Sequence, residues 1–149
     1  MGTLHKKFTD LYMLGRKNTR LTSYSYKTDG YYFVTAVCNF RQNLFFGKET
    51  SVEKELRDLQ AKTPDVELDY FVVMPNHIHI IFILHNCTLH LGEVVRRFKA
   101  KVSHSFGKNI WQANYYEHVI RNETALTKIR EYIQNNPQEL LLKFEQFYK

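Results

Sequence analysis

A chain of 149 residues with 44% hydrophobic and 24% charged composition is sized for one domain with its own packed core. Its 21 Lys and Arg against 15 Asp and Glu leave a net charge of +6, which suits a polyanionic partner such as nucleic acid and equally describes a basic soluble protein with none. Cys38 and Cys87 are too few for a disulfide scaffold and lack metal-knuckle spacing, no window reaches bilayer length, and the first twenty residues hold no signal-peptide core. Disulfide-rich secreted and membrane-spanning classes are therefore excluded, and a soluble cytoplasmic protein with reduced thiols is expected.

Residues 1–27 mix basic, polar and aromatic side chains without a period and read as a basic arm ahead of a single domain over residues 28–149. Tyr31 to Cys38 is a β-branched and aromatic run, hence a buried strand. Val52, Leu56 and Leu59 fall at helical spacing behind Ser51, a suitable N-cap, in a helix through Gln60. Pro64-Asp65 ends it. Val66 to Met74 and His77 to Leu84 are two further strands, joined by Pro75-Asn76 as a hairpin. Thr88 caps a longer helix through Phe106, with Leu91, Val94, Val95, Phe98 and Val102 inward and Arg96, Arg97, Lys99 and Lys101 outward.

Gly107 closes that helix, and Trp111 to Arg121 reads as a fourth strand. Asn122 or Thr124 then opens a helix carrying Leu126, Ile129 and Ile133, stopped near Pro137, with an apolar tail Leu140 to Tyr148 behind it. The order β-α-β-β-α-β-α predicts an α+β fold of the ferredoxin-like split βαβ plan. A four-stranded antiparallel sheet is covered by helices on one face, with one added C-terminal helix that carries Tyr132.

Within this frame, His77 and His79 stand out in the apolar run from Tyr70 to Leu84. Side chains two apart on a strand share a face. Imidazole is a metal ligand that an apolar strand has no packing reason to hold, so the pair suggests two corners of a divalent-metal site. Half-buried histidines bonded to backbone or water are the plainer reading. On the last helix Tyr132 and Asn136 are four apart and present a phenol and an amide from one face. Core packing and a C-cap explain the same two residues, so their value turns on whether that helix meets the histidine face.

Three segments taken in order carry a resemblance. Val73 to Ile81 with its His77-Ile-His79, Ile110 to Glu123, and Tyr132 to Pro137 resemble the single-tyrosine HUH transposases, and nearest among them the REP-associated tyrosine transposases. The similarity runs from about Tyr24 to Pro137. It implies the ferredoxin-like fold already read from element order. It further implies that His77 and His79 are the metal-binding pair, Asn136 the third ligand, and Tyr132 the nucleophile. The implied cofactor is Mg²⁺ or Mn²⁺, and the implied reaction is cleavage and rejoining of single-stranded DNA through a covalent 5′-phosphotyrosine at DNA hairpins. Working as a monomer or as a homodimer is compatible with the resemblance.

Tyr115 and Tyr116 are rival nucleophiles by residue type. With Trp111 they also read as strand packing or a base-stacking surface. Arg96, Arg97, Lys99 and Lys101, with Arg20 and the other basic residues of the arm, are expected to contact DNA backbone, a solvated helix face being the plainer account of the first four. Two other functional readings are open: a non-catalytic ferredoxin-like nucleic-acid-binding module, and an HUH endonuclease of replication-initiator or relaxase type.

Overall fold

The computed structural model describes residues 29–85, 88–139 and 141. Arg20 with the rest of the N-terminal arm, Cys87, and most of the apolar tail lie outside the described residues. The elements are β1 (Gly30–Val37), α1 (Glu49–Lys62), β2 (Val66–Met74), β3 (His77–Leu84), α2 (Leu91–Phe106), β4 (Tyr116–Ile120) and α3 (Glu123–Asn135), with a short 3₁₀ turn at Asn39–Arg41. The strands form one sheet in the order β2-β3-β1-β4, every neighbouring pair antiparallel. This is the expected split βαβ arrangement.

Strand alternation gives the sheet two different faces. Tyr32, Val34 and Ala36 of β1 and Ile78, Ile80, Phe82 and Leu84 of β3 pack against Val52, Leu56 and Leu59 of α1 and Leu91, Val94, Val95, Phe98 and Val102 of α2. Each such fully buried aliphatic or aromatic side chain contributes about 1.5–3 kcal/mol. The opposite face carries a smaller cluster, Phe33 and Ile81 beneath Leu126, Ile129, Tyr132 and Ile133 of α3. The sheet is thus covered on both sides, two helices on one and the C-terminal helix on the other.

Helix starts and the fourth strand differ in detail from expectation. α1 begins at Glu49 rather than behind Ser51, with Lys48 at the cap position and no side-chain cap bond. Burial of Phe45 against Trp111, ring centroids 5.4 Å apart, holds the chain just ahead of this start, which falls three residues earlier than a Ser51 cap would give. α2 is capped not by Thr88 but by His90, whose Nδ1 accepts from the Glu93 N–H at 3.2 Å. Of the two caps left open for α3, Asn122 holds the place, its Oδ1 accepting from Ala125 N–H at 2.8 Å.

β4 is only five residues long. Trp111 makes an isolated bridge to Cys38 and is buried as core between Phe45 and Phe98, while its indole N–H donates to the Lys99 carbonyl at 2.9 Å. Between Trp111 and Tyr116 the chain leaves the ladder because Lys99 gathers it. The ammonium donates to the carbonyls of Gln112 (3.0 Å) and Asn114 (3.4 Å).

Candidate functional site

His77 and His79 both point to the α3 face, and both are fully buried. Their rings lie 4.7 Å apart, edge to face. The register sets Thr35 of β1 directly opposite His79, and Tyr116 of β4 opposite Thr35, so one row across the sheet runs His79, Thr35, Tyr116. Thr35 Oγ1 lies 2.7 Å from His79 Nδ1, and His79 Nε2 lies 2.9 Å from the Pro137 carbonyl. A carbonyl only accepts, so Nε2 carries the hydrogen and Nδ1 accepts from the threonine hydroxyl. Because a hydroxyl both donates and accepts, Thr35 serves the other tautomer of His79 equally well.

His77 is oriented differently. Its Nδ1 donates to Asn76 Oδ1 at 2.6 Å, which leaves the lone pair on Nε2. That nitrogen is buried and meets no partner at full hydrogen-bond geometry among the described residues, although the Pro137 carbonyl is near enough to act on the ring. Burial drives the pKa of His77 down to about 4 and that of His79 to about 3, the neighbouring imidazole adding to the effect at His79 while the Pro137 carbonyl opposes it at both. Both rings are therefore neutral near pH 7, the state in which imidazole ligates a metal.

The third candidate ligand, Asn136, is the C-cap of α3, half-buried, with its N–H donating to the Tyr132 carbonyl at 2.8 Å. It directly precedes the proline whose carbonyl meets His79. Among the described residues, no group of three or more His, Cys, Asp or Glu side chains is placed to hold a metal ion. Asn136 brings a side-chain amide to this end of α3, one residue before the Pro137 carbonyl that meets His79. A buried imidazole nitrogen that meets no partner at full hydrogen-bond geometry, together with two neutral rings, fits a metal ion.

Tyr132 lies on the same face, packed into the cluster with Phe33 and Ile81. Its phenol is pushed up to about 12, chiefly by burial and then by the Glu139 carboxylate. The helix that carries it is clamped to the sheet at a register shift in β2 between Leu68 and Tyr70. There Asp69 accepts from Arg130, Nε to Oδ2 at 2.7 Å and Nη2 to Oδ1. Of the rival phenols, Tyr116 borders this cluster and Tyr115 packs against the opposite core.

The basic residues of α2 are engaged within the chain. Arg96 and Arg97 both pair with Glu93. Lys101 bonds Asp58 of α1. Lys99 is lowered to about 8 by burial. Sequence reasoning passed over Thr35, Asp69, Arg130 and His118, the last a fully buried imidazole on the same face opposite Phe33. Thr35 alone left a signal, as the one hydroxyl between Phe33 and Cys38; the others depend on strand register and helix docking.

Comparison with known proteins identifies the family. The family model "Transposase IS200 like" matches residues 26–136. An uncharacterised protein of Haemophilus influenzae is 37% identical over 170 residues, covering 89% of this chain and 93% of its own. The REP-associated tyrosine transposase of Escherichia coli strain K12 is 29% identical over 115 residues, covering 76% of this chain and 69% of its own. A solved REP-associated tyrosine transposase bound to a REP hairpin superposes with a TM-score of 0.69 at 28% identity, covering 80% of this chain and 73% of that one. The chain belongs to the IS200-like transposase family, and within it is similar to the REP-associated tyrosine transposases.

Proposed function

We propose that this protein cleaves and rejoins single-stranded DNA beside hairpins, with Tyr132 as the nucleophile and His77, His79 and Asn136 as the ligands of a divalent cation. The observation that carries the reading is the placement of the Tyr132 helix on the sheet face that holds two buried, neutral histidines. The similarity to a transposase solved with a REP hairpin supports a folded single strand as substrate. The protein would act in the cytoplasm, and since α3 lies on its own sheet, attack within one protomer is the simplest arrangement.

In the proposed reaction the Tyr132 phenolic oxygen attacks the phosphorus of a phosphodiester. A Tyr O–P bond forms, the P–O3′ bond breaks, the phenolic proton leaves, and the 3′ oxygen departs to end as a hydroxyl. The strand is held as a 5′-phosphotyrosine. Attack by another 3′-OH reverses the step and joins strands, so the phosphodiester energy is retained and no nucleotide cofactor is needed. Mg²⁺ or Mn²⁺ held by the three ligands would offset charge on the non-bridging oxygens. Thr35 fixes the His79 ring, Asn76 fixes that of His77, and the Asp69–Arg130 clamp sets the height of the tyrosine above the sheet. A phenol held up to about 12 is protonated at neutral pH, so it must be assisted as it attacks.

Incubation with hairpin-bearing single-stranded DNA and Mg²⁺ or Mn²⁺, read on a denaturing gel, tests this. A covalent protein–DNA adduct is expected, lost on chelation and lost in Tyr132→Phe, which still binds DNA. An adduct that survives in Tyr132→Phe would transfer the role to another tyrosine. Tight binding with no adduct across a broad pool would favour a non-catalytic nucleic-acid-binding module.

A further inference from the structure

Among the described residues two large hydrophobic side chains stand out in solvent, Phe40 at 89% exposure and Phe46 at 75%. Both lie on the connection from β1 to α1. The segment is anchored, not frayed. Asn39 N–H donates to the Ile110 carbonyl at 2.8 Å, Cys38 N–H to the Asn76 carbonyl and Phe45 N–H to the Pro75 carbonyl, both at 2.9 Å. The side chain of Phe45, between the two exposed rings in sequence, is fully buried. Phe40 and Arg41 nevertheless hold left-handed backbone, φ 54° and 53°, a conformation that L side chains avoid unless the surroundings impose it. Ordered, pinned and strained, the loop displays an aromatic ring that a stable fold gains by hiding.

Its place in the molecule suggests why. Pro75 and Asn76, which receive two of those hydrogen bonds, immediately precede His77, and the Asn76 side chain orients that imidazole. The loop therefore adjoins the β2–β3 turn at the end of the sheet where the histidine pair begins. From Cys38 to Lys48 it contains exposed Arg41 and Lys48 and no acidic residue. Aromatic rings interleaved with cations are the chemistry that holds unpaired nucleotides, rings stacking on bases and cations meeting phosphates.

We propose that Phe40 and Phe46 form a stacking platform for unpaired bases of single-stranded DNA, with Lys48 and Arg41 along its backbone, leading the strand to the histidine site. This rests on the reading above for its ligand class. Stacking is indifferent to base identity, so the platform holds the strand beside the hairpin whatever its sequence. A second copy of this chain burying the same rings is the competing occupant.

The test is fluorescence anisotropy in the presence of chelator, with Tyr132→Phe as the parent, so that cleavage plays no part. Two labelled DNAs are compared, a blunt hairpin and the same hairpin with a ten-nucleotide single-stranded extension. Phe40→Ala and Phe46→Ala are each expected to weaken binding of the extended DNA about five- to hundredfold, with little effect on the blunt one and no change in salt dependence. Phe40→Trp is expected to restore affinity, with its indole fluorescence quenched on binding. Lys48→Ala is expected to flatten the salt dependence instead. Circular dichroism confirms that the variants, all at exposed positions, are folded.

Equal binding of the extended DNA by parent and alanine variants would overturn the platform while leaving the proposed function intact. Sedimentation showing that the parent self-associates and the alanine variants do not would assign the rings to a second copy. Failure of the parent to bind either DNA would remove the substrate class itself, and the platform with it.

Discussion

Thr35 is the residue on which the histidine arrangement turns. Its hydroxyl satisfies His79 Nδ1 in either tautomer. If His79 serves as a ligand through Nε2, then Nδ1 must donate, and threonine must accept. Thr35→Val keeps the volume, removes that partner and leaves a buried nitrogen unsatisfied, at a cost of about 1–3 kcal/mol in stability. Mn²⁺ affinity by calorimetry is expected to fall about ten- to hundredfold, with Thr35→Ser largely restoring it; unchanged affinity in Thr35→Val would show that the hydroxyl is only packing. The same burial makes the fold sensitive to acid. His77, His79 and His118 have folded pKa values of about 4, 3 and 3, below the unfolded value near 6.5. The unfolded chain therefore binds more protons between the two values. Stability is complete above about pH 6.5 and declines as pH falls towards 4, each group adding a slope approaching about 1.4 kcal/mol per pH unit. Urea midpoints measured from pH 7.5 to 4 check this, and a flat profile would contradict neutral burial of the three rings. Cys38, pushed up to about 12 by burial, is expected to resist thiol reagents at pH 8 in Cys87→Ser protein until denaturant is added.

At the scale of elements, a small apolar cluster and the Arg130–Asp69 ion pair hold α3 among the described residues. Ile133→Ala opens a cavity beneath it and is expected to cost about 2–5 kcal/mol. Asp69→Ala removes the partner of Arg130, which is 41% exposed, so a smaller loss of about 1–2 kcal/mol is expected. Its sharper effect is expected on adduct formation, because the helix remains formed but is no longer set against β2. Adduct yield equal to wild type in Asp69→Ala would show that the clamp is dispensable for positioning. The elements themselves were readable from sequence where periodicity was strong. β1, β2, β3 and the inward face of α2 fall where alternation and helical spacing place them. What could not be read was set by distant partners. Trp111 leaves β4 because Phe45, Phe98 and the Lys99 carbonyl enclose it, and His90 displaces Thr88 as a cap through a bond that composition does not signal. His77, His79, Tyr132 and Asn136 could be named from their spacing and the resemblance. Thr35 and His118 enter the same face only through the register of β1 with β3 and β4.

Across the whole molecule, the sheet separates two cores of unequal size, the larger shared by α1 and α2 and the smaller by α3 alone. No helix among the described residues is long and apolar enough to cross a membrane. Because α3 shares little with the larger core, it is expected to detach without unfolding the rest. Hydrogen exchange should show α3 amides opening at a lower free energy than those of β1 and β3; equal protection would mean that the two cores unfold as one. The strand order has a further consequence, for the time course of assembly. β1 is central, yet it pairs with β3, where Thr35 and His79 are 44 residues apart, and with β4 still further along the chain. On the ribosome this apolar strand emerges before either partner exists, while β2 and β3 can close locally as a hairpin. Folding must therefore wait on the slow insertion of β1 between β3 and β4. The row from His79 through Thr35 to Tyr116 is completed only by that last step, so a nascent chain acquires its paired histidines early and their orienting hydroxyl late.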